Sequence, residues 1–312
     1  MILKSPEKTP HLSHLEILQS RSHELEPERI LAYGKELAGF LGESSLPYFI
    51  DLATLPSHQD LYGLRLPYNG HFFQMDSLLL FRTFLLILEA KHLKGKLYFN
   101  EANQLIQLKD SEEESIYDHP LIQAELQKQQ LTSLLNQLGY PPIPIYTLVA
   151  FTHRKAHLSF HHEDMLPLQR LPFRLTELSK MFRDPILSID QLRGLGKKLL
   201  SLHQDRKYDF ITDFRSIRNG VFCPNCKPVL MKWYYGKWIC RKCQFRDHQA
   251  HISALKDFYY LFGNMINNKQ AKWFLQLDSV YTTSRMLNQL ELPSTGGYKF
   301  RRYDLSPLIQ KK

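Results

Sequence analysis

The stretch FRTFLLILEAKHLKG, residues 81–95, decides how the first half of the chain is interpreted. Its five consecutive apolar residues, 84–88, predict a buried strand that ends in Glu89, Ala90 and Lys91. Alternate side chains of a strand share a face, so Glu89 and Lys91 are expected to be neighbours. One interpretation of this pair is a salt bridge at the end of a strand, and the other is a functional site.

The preceding residues, 72–81, predict a second strand, joined to the first by a turn at residues 82–83. This hairpin brings Asp76 within a residue or two of the position opposite Glu89. Two carboxylates beside apolar strands repel each other unless a cation or a proton lies between them. Mg²⁺ usually takes one or two protein carboxylates, and a lysine beside them can orient a water molecule or stabilise charge on a phosphate. The pattern therefore indicates phosphodiester hydrolysis, although the spacing by itself is not specific.

The elements around this hairpin predict the fold class. In chain order the patterns are a helix over 29–49, a weakly alternating segment over 59–67, the two strands, a hairpin over 96–108, an acidic loop over 110–120, a helix over 121–138 with Asp118 as its candidate cap, and a strand over 143–151. One helix, three or more strands, one helix and one strand predict a three-layer α/β core.

Four motifs in this order resemble the PD-(D/E)xK nuclease superfamily, and specifically its nuclease-related (NERD) branch. They are GFLGESS (39–45), HFFQMDSLLLF (71–81), FLLILEAKHLKGKL (84–97) and DHPLIQAELQKQQL (118–131). The resemblance covers roughly residues 30–150 and implies a restriction-endonuclease-like α-β-β-β-α-β core. One departure is Ser77, which follows Asp76 where many relatives carry histidine.

The resemblance also implies roles for individual residues. Asp76 and Glu89 would hold Mg²⁺ or Mn²⁺, with the Ala90 carbonyl as a further ligand. Lys91 would position the attacking water. Glu43 would support the metal through water, and Gln123 would brace the site from the following helix. The alternatives are a solvated helix acid for Glu43 and a surface amide for Gln123.

All four cysteines lie in CPNCKPVLMKWYYGKWICRKC, residues 223–243. Two Cys-x2-Cys pairs separated by 13 residues supply four thiolates, the ligand set of a closed structural zinc site. The intervening residues suit a hairpin with Gly236 at its turn. The pattern predicts a zinc ribbon in which one Zn²⁺ binds Cys223, Cys226, Cys240 and Cys243. Such a site has no open coordination position, so no catalytic role is expected.

The C-terminal segment predicts three helices, over 252–263, 268–276 and 279–290, followed by a strand or hairpin in GGYKFRRYDL, residues 296–305. The second and third helices with this hairpin resemble a helix-turn-helix with a wing, and a plain three-helix module is the alternative. In the first arrangement the helix over 279–290 enters the major groove of DNA. That helix carries Tyr281, Thr282, Thr283, Arg285 and Asn288.

The ribbon interleaves basic and aromatic residues, a combination that binds single strands when the aromatics do not instead form the ribbon's own core. The predicted nucleic-acid contacts are Lys237, Arg241, Lys242, Arg285, Lys299, Arg301 and Arg302.

Charge is distributed unevenly. Residues 1–192 carry a net charge of −5 and residues 193–312 carry +14, within a total of +9. A strongly basic half favours a polyanionic partner, most simply nucleic acid, although a merely basic surface would give the same count. The resemblance to nucleases and the helix-turn-helix pattern favour DNA over RNA as this partner. No apolar run approaches the ~20 residues that a membrane helix needs, and no secretory signal is evident, so a cytoplasmic protein is expected.

These patterns predict five regions: an N-terminal arm (1–28), the nuclease-related domain (29–152), a mostly helical connector (153–218), the zinc ribbon (219–250) and a helix-turn-helix-like, winged-helix-like module (251–312). Three functions fit them. The first is a metal-dependent nuclease acting on DNA and targeted by the ribbon and the basic C-terminal tail. The second is a catalytically silent, nuclease-like scaffold that binds nucleic acid. The third is a zinc-dependent regulator.

Overall fold

The computed structural model describes residues 1–109, 111–208, 210, 212–297 and 300–309. The chain forms two compact units, the first from residues 1–9 and 35–206 and the second from residues 10–34 and 207–312. The predicted five-region division stays a prediction. Within the described residues, no helix combines the length and the apolar character needed to cross a bilayer.

In its described residues the first unit contains ten strands and four helices. The strands are β1 (Ile2–Lys4), β2 (Gln59–Tyr68), β3 (His71–Leu80), β4 (Leu85–Lys91), β5 (Gly95–Phe99), β6 (Leu105–Leu108), β7 (Glu114–Tyr117), β8 (Ile145–Phe151), β9 (Ala156–Leu158) and β10 (Met165–Pro167). The helices are α2 (Pro27–Asp51, of which residues from 35 onward belong here), α3 (Pro120–Gln137), α4 (Leu171–Met181) and α5 (Ile189–Leu202).

The main sheet has the strand order β1-β2-β3-β4-β8-β10. The hairpin β3–β4 is antiparallel, and β4 pairs in parallel with β8. Leu85 and Ile87 pack with α3 and α5, whereas Leu86 and Leu88 pack with α2 and α4. Because helices cover both faces, β4 is apolar at consecutive positions, as a central strand must be. The predicted mixed α/β class is confirmed. A second sheet has the order β7-β6-β5-β9.

Three local predictions differ from the structure. Asp118 is not the cap of α3, because His119 occupies that position without a side-chain cap bond and Pro120 begins the helix. The predicted acidic loop contains β7, since Glu114–Tyr117 pair with β6 despite their charge. Residues 1–28, predicted as a loose arm or a peripheral helix, contain a helix of the second unit but also β1, an unpredicted strand that pairs with β2.

The second unit contains the cysteine ribbon and most of the basic C-terminal region. Its helices are α1 (Pro10–Arg21), α6 (His251–Phe262), α7 (Asn268–Leu275), α8 (Val280–Gln289) and α9 (Ser306–Ile309). Its strands are β11 (Val221–Phe222), β12 (Leu230–Tyr234), β13 (Lys237–Cys240), β14 (Arg246–Asp247), β15 (Met265–Asn267), β16 (Ser294–Thr295) and β17 (Arg302–Asp304).

The ribbon sheet has the order β11-β12-β13-β14, and a three-stranded sheet has the order β15-β17-β16. One hydrophobic cluster joins α1, the ribbon and α6 to α8, through residues such as Leu18, Trp238, Phe258, Phe274 and Met286. The ribbon and the C-terminal helices therefore share a single core.

Candidate functional site

The hairpin β3–β4 brings Asp76 to Glu89. Ser77 lies opposite Leu88 in the ladder, so the next step of the register brings Asp76 to the level of Glu89. The backbone N–H of Ala90 donates a hydrogen bond to Asp76 Oδ2 at 2.9 Å, which fixes that carboxylate against the end of β4. The predicted juxtaposition of the two acids is present.

A break in strand alternation accompanies Asp76. Leu78 and Leu80 pack in the same cluster as Phe73 and Met75, so the facing of β3 shifts by one residue at positions 76–77. In β2, Gly63 has φ +58° at the matching level, between the paired residues on either side. That φ favours glycine. Regular alternation counted from Leu78 would not predict this break in β3.

Glu89 is held from two sides. Its Oε1 accepts from Lys91 Nζ at 2.8 Å, and its Oε2 accepts from Gln127 Nε2 at 3.1 Å. Lys91 Nζ also donates to Gln123 Oε1 at 2.9 Å. Gln123 and Gln127 are one turn apart on α3, so both can reach the end of β4. The sequence interpretation identified Gln123 and missed Gln127, which the same helical spacing could have revealed.

Helix α2 supplies Glu43 to the same end of the sheet. A Cβ built on Gly42 would lie 3.3 Å from His92 Cβ and 3.6 Å from Ala90 Cβ, so the glycine allows the helix to lie close to the end of β4. A Cβ built on Gly63 would lie 3.5 Å from Glu43 Oε2 and 3.6 Å from Lys4 Nζ. Glu43 and Lys4 therefore both approach this glycine.

Lys4 of β1 is a site residue that the sequence interpretation did not identify. Its Nζ donates to the Tyr62 carbonyl at 3.0 Å. Lys4 is far from Glu43 in sequence, and only the parallel pairing of β1 with β2 brings the two together. No local sequence pattern predicts such a contact.

The carboxylates carry more negative charge than their surroundings neutralise. Burial raises the pKa of Asp76 well above its ordinary value, and the charges of Glu89 and Glu43 raise it further. Burial also raises the pKa of Glu43, from 4.5 to about 7, while the Lys4 cation opposes this rise. Mutual repulsion of acids in a partly buried site is relieved by a proton or by a cation.

The donor set fits a divalent cation such as Mg²⁺, which needs only one or two protein carboxylates and completes its shell with water and phosphate. Asp76 and Glu89 provide such a pair. Within the described part of the chain, however, the one group of three or more acidic, histidine or cysteine side chains with converging ligand atoms is the cysteine cluster.

The four cysteines of the ribbon converge. The Sγ atoms of Cys223, Cys226, Cys240 and Cys243 all lie within 4.8 Å of one another, and those of Cys223 and Cys243 are 3.6 Å apart. Zinc–sulfur bonds of about 2.3 Å in a tetrahedron place sulfurs about 3.8 Å apart. All four are free thiols. The set can bind one zinc ion, as the sequence predicts.

The backbone around the cysteines favours thiolates. The backbone N–H of Cys243 lowers the pKa of Cys240 to about 7, and the N–H of Lys242 contributes in the same direction. The side chain of Cys243 raises the pKa of Cys226 to about 12. Packing four sulfurs together without a cation is thus unfavourable for some of them, and a zinc ion would remove that cost.

The predicted nucleic-acid contacts are mostly accessible. Arg241, Lys242, Arg285 and Arg302 are exposed, Lys237 and Arg301 are half-buried, and Lys299 lies outside the described residues. Thr283 cannot contact a ligand as predicted, because it is fully buried and its hydroxyl donates to the Ser279 carbonyl. Ser279 caps α8 by accepting from the Thr282 N–H.

Comparison with known proteins supports the interpretation of the first unit. Residues 38–152 match the family model of the nuclease-related domain (NERD). A search of curated proteins and one of solved structures gave no significant match. Residues 38–152 are thus similar to the nuclease-related domain, in agreement with the motifs of the sequence. The matched segment contains Glu43, Asp76, Glu89, Lys91 and Gln123, whereas Lys4 lies before it.

Proposed function

We propose that the nuclease-related domain is a metal-dependent phosphodiesterase that hydrolyses DNA. The observation that carries this proposal is the continuous set of contacts from Asp76 through the end of β4 to Lys91 and Gln123. The match to a nuclease-related family supports it. The order α2, β2, β3, β4, α3, β8, with the second-sheet strands β5 to β7 inserted between β4 and α3, also supports placing the domain in the PD-(D/E)xK superfamily, with a restriction-endonuclease-like core.

The carboxylates Asp76 and Glu89 would hold Mg²⁺ or Mn²⁺, and Glu43 would act on the ion through water. Bound there, such an ion polarises a phosphoryl oxygen and lowers the pKa of a coordinated water. The Ala90 N–H keeps Asp76 at the edge of β4, and Gln127 keeps Glu89 from rotating away. These contacts orient the ligands before substrate arrives.

Lys91 would position the attacking water. An ammonium has three N–H donors. Two of them are directed to Glu89 and Gln123, which fixes the direction of the third. That third donor can hold a water oxygen or a phosphate oxygen beside the carboxylates. Gln123 thus contributes by orienting Lys91.

The second unit would deliver the substrate. The element order α6, β15, α7, α8, β16, β17 is that of a helix-turn-helix with a wing, which supports a winged-helix-like module. Exposed Arg285 lies on α8, and exposed Arg302 lies on β17. We infer that these cations contact DNA phosphates. The zinc ribbon would add further phosphate contacts through Arg241 and Lys242.

The proposal is tested by cleavage of plasmid and oligonucleotide DNA with Mg²⁺ or Mn²⁺. Wild type is expected to cleave, and Asp76→Ala and Lys91→Met are each expected to lose at least ~100-fold, because charge stabilisation by one group is typically worth this much. Glu101→Ala, an exposed acid in the β5–β6 turn, is the matched control and should cleave like wild type.

One observation favours the silent scaffold as a second candidate. Both oxygens of Glu89 already accept hydrogen bonds from side chains of the chain itself. A scaffold would bind DNA without cutting it. Equal nicking by wild type and Asp76→Ala, or DNA binding without any metal-dependent cleavage, would exclude the enzyme and leave this candidate.

A further inference from the structure

The register of the ribbon sheet sorts its side chains onto two faces. Directly opposite residues of an antiparallel pair project to the same side. Trp233 lies opposite Trp238, and Met231 lies opposite Cys240. These side chains belong to or pack against the hydrophobic cluster of the second unit. Trp238 is therefore a core residue, and the half-buried Trp233 packs against the same core.

The other face has a different chemistry. Tyr234 lies opposite Lys237, Lys232 lies opposite Ile239, and Ile239 in turn lies opposite Arg246. One tyrosine and three cations thus project from a single side of the sheet. Among the described residues none of these cations forms an ion pair. Asp247, the acid next to Arg246, is paired with Trp238 and belongs to the first face.

The turn that joins β12 to β13 places a second tyrosine at the tip. Tyr235 has φ +43° and Gly236 has φ +78°, the left-handed pair of a type I′ turn. Asn or Asp is the preferred first residue there, because a larger side chain costs energy in that conformation. Tyr235 is nevertheless 83% exposed, and its ring contacts that of Tyr234 edge to face with centroids 4.2 Å apart. Tyr235 thus occupies an unfavourable backbone conformation while its ring stays largely exposed, so burial in the core does not explain this residue.

We propose that Lys232, Tyr234, Tyr235, Lys237 and Arg246 form a binding site for unpaired bases of single-stranded DNA, here called the tyrosine platform. Aromatic rings stack on bases, and neighbouring cations neutralise the phosphates between them. A duplex hides the base faces within its own stack, so the platform selects unpaired strands. The inference deepens the proposed function by naming a substrate class, but it does not require that the protein cleaves.

The test uses the zinc-loaded full chain with Asp76→Ala in buffer without Mg²⁺, so that cleavage cannot interfere. Fluorescence anisotropy of a labelled oligothymidine gives the affinity. Tyr234→Ala and Tyr235→Ala are each expected to weaken binding by roughly 5- to 150-fold, and Tyr235→Phe should retain it. The control is Phe173→Ala, since the exposure of Phe173 on α4 lies between those of Tyr234 and Tyr235 but its ring is not part of the platform.

A second variant separates binding from folding. Tyr235→Asn installs the residue that the turn prefers, so thermal stability should stay equal or rise while affinity for the single strand falls. Affinity that is unchanged in Tyr235→Asn would overturn the proposal. So would an equal loss on a blunt duplex of the same length, because stacking on unpaired bases could not explain it. Whether the wild-type protein cleaves DNA does not affect either result.

Discussion

The charge state of Glu43 should change the stability of the first unit. In the metal-free protein, burial raises its pKa from 4.5 to about 7. A carboxyl with a higher pKa in the folded state binds its proton more tightly there than in the unfolded chain. Its contribution therefore favours folding at low pH and is lost as pH rises from about 4.5 to about 7.

Glu43→Gln removes this loss. In metal-free buffer the variant should be more stable than wild type at pH 8, by roughly 1–3 kcal/mol, and nearly equal to it at pH 4.5. Urea unfolding at several pH values measures the difference when amide exchange in β4 is used to monitor the first unit. The control is Glu101→Gln, an exposed acid in the β5–β6 turn of the same unit. A constant difference at all pH values would contradict the expected titration.

Residues of this site differ in how far the sequence could predict them. Glu89 and Lys91 follow from the period of one strand, and Asp76 follows from one hairpin. Gln123 came from the family resemblance, and Gln127 is one helical turn further. Lys4 depends on a parallel strand pair between segments more than 50 residues apart, which no local pattern encodes.

At the scale of elements, Leu46 and Ile50 pack α2 onto the sheet, and Gly42 allows the helix to lie close to the ends of β4 and β8. Gly39 and Gly42 both lie within this helix, and the structure has one helix throughout. Gly39 is exposed, and a Cβ built on it would have no atom of the described residues within 4 Å, whereas a Cβ on Gly42 would lie 3.2 Å from Thr152 Oγ1. Propensity alone cannot distinguish the two glycines, because their environments are tertiary.

Gly42→Val should therefore separate α2 from the ends of β4 and β8. Overpacking of this kind costs about 1–3 kcal/mol, and it should also lower any cleavage activity by displacing Glu43. Gly39→Val makes the same chemical change on the open side of the helix and should stay within about 1 kcal/mol of wild type. Chemical denaturation compares the two. Equal destabilisation by both would mean that the close approach at residue 42 is not what places the helix.

At the scale of the whole molecule, zinc binding should stabilise the entire core of the second unit. The sequence predicted the four ligands from spacing, but it did not show that Cys223 and Cys240 are buried in the cluster shared with α1 and α6 to α8. All three tryptophans, Trp233, Trp238 and Trp273, lie in this unit, so their fluorescence reports on it alone.

Cys223→Ser should lower the zinc content from about one ion per chain towards zero and unfold this core, because structural zinc sites contribute folding energy directly. Metal analysis gives the stoichiometry, and tryptophan emission gives the state of the core. Asn225→Ala changes an exposed residue of the same turn and should keep both zinc and native emission. Full zinc content in Cys223→Ser would refute the four-cysteine site.

The uneven charge of the chain predicts that DNA binding depends on salt concentration. Removing residues 252–312 would not isolate the basic surface, since those residues build the shared core. Point variants avoid this problem. If Arg285 and Arg302 contact phosphates, Arg285→Ala and Arg302→Ala should each weaken duplex binding and reduce the slope of log affinity against log salt by about 0.9. Lys180→Ala, an exposed cation on α4, should change neither. A weaker affinity with an unchanged slope would mean that the arginine stabilises the fold or reads a base edge, since only a phosphate contact releases a counterion.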